Sequence, residues 1–211
     1  SLGLVGSEMC IRDSYNPSLG VTVMVPNSLG PGELLQHYGT EAQKQTYLPG
    51  LAKGHYIPCF GLTGPHNGSD ATGQIDSGTI EKDEDGNLYI DVTINKRYIT
   101  LAPVSNLIGL AIHVSDPRGL LPEKSQEGIT LLLLEKKNFP ALEQSTYHIP
   151  NYSGFPNGTL KGSLSIPITN VIGGPAYVGK GWPMLMECLA VGRGVSLPAT
   201  ANASSKMVTT A

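Results

Sequence analysis

Between residues 88 and 94 the side chains alternate without a fault. Leu88, Ile90, Val92 and Ile94 fall on one face of an extended chain, and Tyr89, Asp91 and Thr93 fall on the other. Period-two alternation is the mark of a strand with one buried face. Asp85-Gly86-Asn87, just upstream, is a hairpin signal, and residues 79–82 supply the partner strand. Further strands are predicted at residues 57–62, 107–114, 129–134 and 160–168, the third following a loop at 116–127 that carries Pro117, Gly119 and Pro122. Strands at this spacing, parted by turns, indicate an antiparallel sandwich or barrel. The chain's 26 glycines and 16 prolines in 211 residues are consistent with so many turns. No strand–helix alternation supports a parallel doubly wound sheet, and no Gly-x-Gly-x-x-Gly stands ready for a nicotinamide dinucleotide.

Helical patterns flank these strands. Leu34, Leu35 and Tyr38 share a helical face before a break at Gly39, and Thr40 with Gln43 forms a capping-box signature. It predicts a second helix over residues 41–48, ended by Pro49-Gly50. From Trp182 onward Met184, Leu185, Cys188, Leu189 and Val191 return at helical spacing. Gly192 and Gly194 each cost a helix about 1 kcal/mol relative to alanine, so with Pro198 they predict either fraying or close approach of a substrate or neighbouring helix.

Bulk properties exclude several classes. A net charge of −3 leaves no electrostatic footprint for nucleic acid, and no apolar run approaches the roughly 18 residues of a membrane span. Cys10, Cys59 and Cys188 are odd in number and lack ligand spacing, which predicts reduced thiols and a cytoplasmic setting. His37, His55, His66, His113 and His148 show no metal pattern, and the acidic cluster at 81–85 is not a calcium loop. The leucine run at 131–134 reads as core. Residues 1–14 lack the features of a secretory signal; they resemble translated sequencing adapter and are expected to be non-native, Cys10 included.

Two stretches carry the chemistry. Pro58-Cys-Phe-Gly-Leu-Thr-Gly-Pro-His-Asn-Gly-Ser-Asp70 begins as a strand and breaks into a Gly-rich loop that ends in a hydroxyl. Such a loop can offer backbone N–H groups to an anion, although on its own it reads equally as a strand-to-turn corner. Asn95-Lys-Arg-Tyr-Ile-Thr100 follows about thirty residues on. Taken singly, Tyr98 is a strand-end aromatic and Thr100 a β-branched core residue. Together the stretches resemble the flavin-contacting motifs of acyl-CoA dehydrogenases, Leu-Thr-Glu-Pro-x-Ala-Gly-Ser-Asp and then Gly-x-Lys-x-Trp-Ile-Thr. Leu62, Thr63, Pro65, Gly68, Ser69 and Asp70 match the first, and Lys96, Ile99 and Thr100 the second. Gly64 stands for the usual Glu, Asn67 for Ala and Tyr98 for Trp. The likeness extends over nearly all of the chain after residue 26 and is closest to the large bacterial members of fatty-acid degradation.

The resemblance implies an α+β fold: a middle antiparallel β-barrel domain flanked by partial N- and C-terminal α-helical domains. Its expected divisions are an adapter-derived segment at 1–14, the end of the N-terminal helical domain at 15–54, an FAD- and acyl-CoA-binding barrel at 55–178, and the start of a truncated C-terminal helical domain at 179–211. It implies FAD as cofactor, with the backbone from Phe60 through Leu62 to Thr63 along the ring edge and the Thr63 hydroxyl donating to it. Gly68 and Ser69 approach the pyrophosphate, Ser69 also nears the CoA, Tyr98 packs on the flavin, and Thr100 donates to N5. The implied reaction is oxidation of an acyl-CoA to a trans-2-enoyl-CoA. Its catalytic Glu is expected beyond Ala211, since Gly192 precedes Arg193 where a minority of the family places it; Arg193 is a supporting residue. The fragment alone is expected to be inactive. Electron-transfer flavoprotein or a similar acceptor, a homo-oligomer, and membrane attachment through segments outside this chain complete the expectation. The alternatives are an acyl-CoA oxidase of the same fold and a non-catalytic acyl-CoA-binding relative, the latter kept open by Gly64.

Overall fold

The computed structural model describes residues 31–210 apart from 74, 122, 124, 146–153 and 155; side chains at 191–197, 199, 200, 203, 207 and 210 are also outside the described set. The expected segment at 1–14 falls outside the described residues.

Two helices come first, α1 (Pro31–Tyr38) and α2 (Glu41–Ala52). The strands follow as β1 (Pro58–Gly61), β2 (Ser77–Lys82), β3 (Leu88–Thr100), β4 (Leu107–Ser115), β5 (Gly128–Glu135), β6 (Glu143–Ser145) and β7 (Asn157–Pro167), and helix α3 (Gly181–Thr210) closes the order. They form one seven-stranded curled sheet in the order β1-β4-β2-β3-β7-β6, with β5 on the other side of β4. The β2–β3, β3–β7, β4–β5 and β6–β7 pairs are antiparallel, as the hairpin and turn signals predict. The sheet is nevertheless mixed, because β1 and β2 both run parallel to β4, at residues 107–110 and 113–115 respectively. No crossover helix is involved: the β2–β3 hairpin lies between the two parallel partners in sequence.

The strand patterns record which faces are covered. β3 alternates because Ile90, Val92 and Ile94 enter the core while Asp91, Thr93 and Asn95 meet solvent. β4 and β5 are continuously apolar because both faces are buried. Ile108, Leu110, Ile112, Leu132 and Leu134 join the core inside the curl. Leu107, Ala111, Leu131 and Leu133 face Leu34 and Leu35 of α1 and Met184, Leu185 and Cys188 of α3. A strand covered on both sides loses its alternation.

The Thr40–Gln43 capping box forms as predicted. Gln43 also reaches across to the sheet: its Nε2 donates to Val171 O at 2.8 Å and its Oε1 accepts from the Gly173 N–H at 3.1 Å. Two helix boundaries differ from expectation. α2 does not stop at Pro49-Gly50 but runs to Ala52. Proline removes its own N–H from the ladder and crowds the carbonyl four residues before it, but the turn beyond it is closed by Lys53 N–H to Pro49 O and His55 N–H to Gly50 O. Likewise α3 does not fray at Gly192 or Gly194 and continues through Pro198. Its first two turns are anchored by Met184, Leu185 and Cys188, and packing outweighs the local propensity penalty. No helix among the described residues is long and apolar enough to cross a membrane.

Candidate functional site

The site is built where β3 meets the loop after β1. Lys96 pairs with Leu160 of β7, but the next register match is Ile99 with Gly158, so Arg97 and Tyr98 together oppose Thr159. This is a β-bulge, and it holds Tyr98 at φ 63°. A left-handed conformation in a non-glycine residue is uncommon and costs about 1–3 kcal/mol. The bulge turns Tyr98 outward, 43% exposed, with the Arg97 guanidinium 5.2 Å from its ring centroid. It also frees the Arg97 main chain from the ladder: its N–H donates to Thr63 O at 3.1 Å, while Nη2 donates to Pro65 O at 3.1 Å.

Below the bulge lies a buried charge. The Lys96 side chain is fully covered, its Nζ lying 3.1 Å from Asp76 Oδ2 and donating to Leu62 O at 3.1 Å. Burial pulls the Lys96 ammonium below its usual range, and the Asp76 carboxylate opposes that pull. Asp76 is a junction. Its Oδ2 also accepts the Asn95 N–H at 3.0 Å, and its carbonyl accepts the His113 N–H of β4 at 2.9 Å.

The loop after β1 is held from within by Asn67, only 2% exposed. Its Oδ1 accepts the Gly64 N–H at 2.7 Å, and its Nδ2 donates to Leu62 O at 3.1 Å and Ala71 O at 3.5 Å. Leu62 O therefore has two donors, Asn67 and Lys96. In a trans peptide the N–H points opposite the C=O, so pinning Leu62 O inward turns the Thr63 N–H away from both donors.

Of the residues singled out by sequence, Leu62 and Thr63 are tied to Lys96 and Arg97 by these bonds. Phe60 and Leu62 are half-buried on the helix-covered side of the sheet. Phe60 is paired with Gly109, where any side chain would collide with its ring. Thr63 and Thr100 are half-buried, and neither hydroxyl bonds another described residue. Thr100 ends β3 opposite Asn157, so the two side chains share a face. Gly68 and Ser69 are exposed further along the loop, and among the described residues no hydrogen bond ties them to Tyr98 or Thr100. Arg193 lies in α3, and its side chain is outside the described residues. Sequence reading missed Asp76 and the part played by Asn67. An acid twenty residues before its lysine carries no local signal, and Asn67 counted only as a departure from a motif.

The described residues hold no group of three or more potential metal ligands. Cys59 and Cys188 are free and buried, and Ser105 Oγ donates to Cys59 Sγ at 3.1 Å.

Residues 5–55 match the family model described as acyl-CoA dehydrogenase, N-terminal domain, a span that includes part of the 1–14 segment expected to be adapter-derived. The chain is 38% identical over 97 residues to Protein HemX of Proteus mirabilis, covering 46% of this chain and 56% of that one. It is 28% identical over 179 residues to an acyl-CoA dehydrogenase of Bacillus subtilis, covering 83% of this chain and 43% of the relative. The chain thus spans about half the length of the curated relatives it matches. Among solved structures it is similar to butyryl-CoA dehydrogenase from Megasphaera elsdenii, with TM-score 0.75 and 25% identity over 92% of this chain and 47% of the other.

Proposed function

Because the chain belongs to the acyl-CoA dehydrogenase family by sequence match and fold, we propose that it is the flavin-facing part of a longer, FAD-dependent enzyme oxidising acyl-CoA to trans-2-enoyl-CoA in fatty-acid breakdown. The observation that carries the reading is the contact between the two motifs. The loop edge at Leu62 and Thr63 is bonded directly to Lys96 and Arg97, so residues 34 apart in sequence are joined at one site.

The residues fit a flavin. A solved relative from Bacillus anthracis with the same fold is an FAD complex, and FAD is the family's cofactor. Here the donor set is available: the Thr63 and Thr100 hydroxyls have no partner among the described residues, and the Tyr98 ring is turned outward two residues before Thr100. Around Gly68 an added Cβ would meet nothing within 4 Å, which leaves the loop open to a bulky polyanion. We assign Phe60, Leu62 and Thr63 to the ring edge, Tyr98 to its face, Thr100 to N5, and Gly68 and Ser69 to the pyrophosphate and CoA. An isoalloxazine held by these residues would supply the hydride acceptor for oxidation of the acyl Cα–Cβ bond. Tyr98 and Phe60 exclude water, the two threonines orient by donated bonds, and the Leu62 carbonyl, held by Lys96 and Asn67, fixes the edge.

The loop's own carboxylates are committed elsewhere, Asp70 to the Thr72 hydroxyl and Asp76 to Lys96. We therefore assign the proton-abstracting Glu to a part of the protein outside these residues. Electron-transfer flavoprotein as acceptor, a homo-oligomer and a cytoplasmic setting belong to the same proposal. A solved electron-transferring flavoprotein of Acidaminococcus fermentans is among the proteins of this fold, at 24% identity and TM-score 0.73. The Asn67 cage weighs against the non-catalytic alternative, since Gly64 leaves a built loop rather than a gap.

The test is anaerobic mixing of the purified full-length protein with acyl-CoAs of graded length, following loss of the oxidised flavin absorbance. Rapid bleaching by a subset of chain lengths is expected. A protein that purifies without flavin and takes up none would sink the reading. Thr100→Val in the same protein should weaken FAD by about 1 kcal/mol and shift its potential.

A further inference from the structure

We propose that Gly64 and Asn67 act as one coupled positioning unit for the flavin-facing edge at Leu62 and Thr63, so that the two residues are exchangeable only together. The inference rests on the flavin reading above and goes further, because it names what holds the loop edge in place.

The geometry leaves little choice. A Cβ on residue 64 would lie 2.8 Å from Asn67 Oδ1 and 3.1 Å from the Asn95 carbonyl. The first distance is shorter than real Cβ contacts, so any side chain at 64 displaces the Asn67 carboxamide. That carboxamide is buried and makes three bonds at once, to Gly64 N–H, Leu62 O and Ala71 O. Displacing it strands the buried Gly64 N–H and removes one of the two donors that fix the Leu62 peptide. An unmade buried bond is more costly than a made one is stabilising. Conversely, alanine at 67 opens the space a side chain at 64 requires, leaving only the 3.1 Å contact with Asn95 O, where the strand must give by a few tenths of an ångström. Glycine with asparagine, and a larger residue with alanine, are thus two self-consistent solutions. The mixed pairs are not.

Asn67 is a positioning residue, since it touches the loop backbone and acts on the cofactor through the Thr63 edge. The experiment uses the full-length protein, stripped of flavin and titrated with FAD, in four forms: native, Asn67→Ala, Gly64→Glu and the double variant. FAD dissociation constant and flavin midpoint potential are read, with urea unfolding alongside. Each single variant should raise the dissociation constant at least about tenfold (about 1.4 kcal/mol) and move the potential, and the double variant should return within about threefold of native. A double-variant loss equal to the product of the single losses overturns the coupling, because independent sites combine additively in free energy. So does Asn67→Ala that binds FAD as native does. If Asn67→Ala fails to fold, Asn67→Asp decides: it keeps the acceptor for Gly64 N–H and loses the donor to Leu62 O. The expected result is a smaller loss of FAD affinity with the potential still moved, and native behaviour overturns the inference. Native protein that binds no FAD at all overturns the flavin reading and this inference with it.

Discussion

Replacing Lys96 by methionine tests the buried ion pair that underlies the site. The substitution keeps the length of the stem and removes the charge. Lys96 is fully covered, while Asp76 retains 17% exposure and one further donor, the Asn95 N–H. Removing one member of a buried pair costs about 3–5 kcal/mol. Partial solvation of the surviving carboxylate and its remaining bond put this case at the lower end, about 3 kcal/mol. The loss includes one of the two donors to Leu62 O, a charged bond of about 1.5–3 kcal/mol when made. At about 2–4 °C per kcal/mol for a domain of this size, Lys96→Met should lower the melting temperature by roughly 6–12 °C. Asp76→Asn, which leaves the ammonium buried with only carbonyl partners, should be comparably damaging. Lys96→Met/Asp76→Asn should be less damaging than the sum by about 1–3 kcal/mol. Differential scanning calorimetry of the four proteins measures all three quantities. A Lys96→Met loss below about 1 kcal/mol, or strict additivity, would refute the assignment of this pair as the anchor of the motif contact.

Three further outcomes are expected. Tyr38 donates to Glu187 across the α1–α3 interface, and that bond, first among the causes, raises its phenol from 10.0 to about 12. The folded state thus holds this proton more tightly than the unfolded one, so the contribution is complete below pH 10 and is lost as pH rises towards about 12; denaturant titrations of native and Tyr38→Phe protein should differ below that window and converge above it. Thr40→Ala should cost about 1 kcal/mol, the usual worth of a cap. Gln43→Ala should cost more, because it also severs the bonds to Val171 and Gly173, and chemical denaturation that ranks them the other way would argue against the clamp. Burial raises the thiols of Cys59 and Cys188 to about 12 and about 11, so neither should react with a disulfide reagent at neutral pH until urea unfolds the chain.

Much of this architecture is legible in the residues. The β2–β3 hairpin follows from alternation around Asp85-Gly86-Asn87, and the α2 start follows from Thr40 and Gln43, because these signals are local. β6 is not legible: Glu-Gln-Ser has no apolar period, and the strand exists only because β7 offers an edge at residues 159–161. The parallel pairings of β1 and β2 with β4 are set by where the hairpin folds back, which no single window records. Pro49, Gly192 and Gly194 read as breakers, yet turn closure and packing against the sheet override them. At the site the motifs mark the surface but not its supports. Asp76 and Asn67 bond partners chosen by tertiary approach, and the bulge at Arg97 and Tyr98 is visible only against the count of residues in β7.

That count has a consequence for how the sheet could be edited. β3 advances three residues, from Lys96 to Ile99, while β7 retreats two, from Leu160 to Gly158. One residue of the Arg97–Tyr98 pair is therefore supernumerary. Shortening the chain there by one would restore a regular ladder, with Lys96 and Ile99 still inward and Thr100 still on its present face. Shortening it anywhere else along β3 would reverse the faces of everything beyond the cut. The outward aromatic is thus carried by the one place in the strand where the sheet has length to spare, and it can be gained, lost or exchanged without renegotiating the core beneath it.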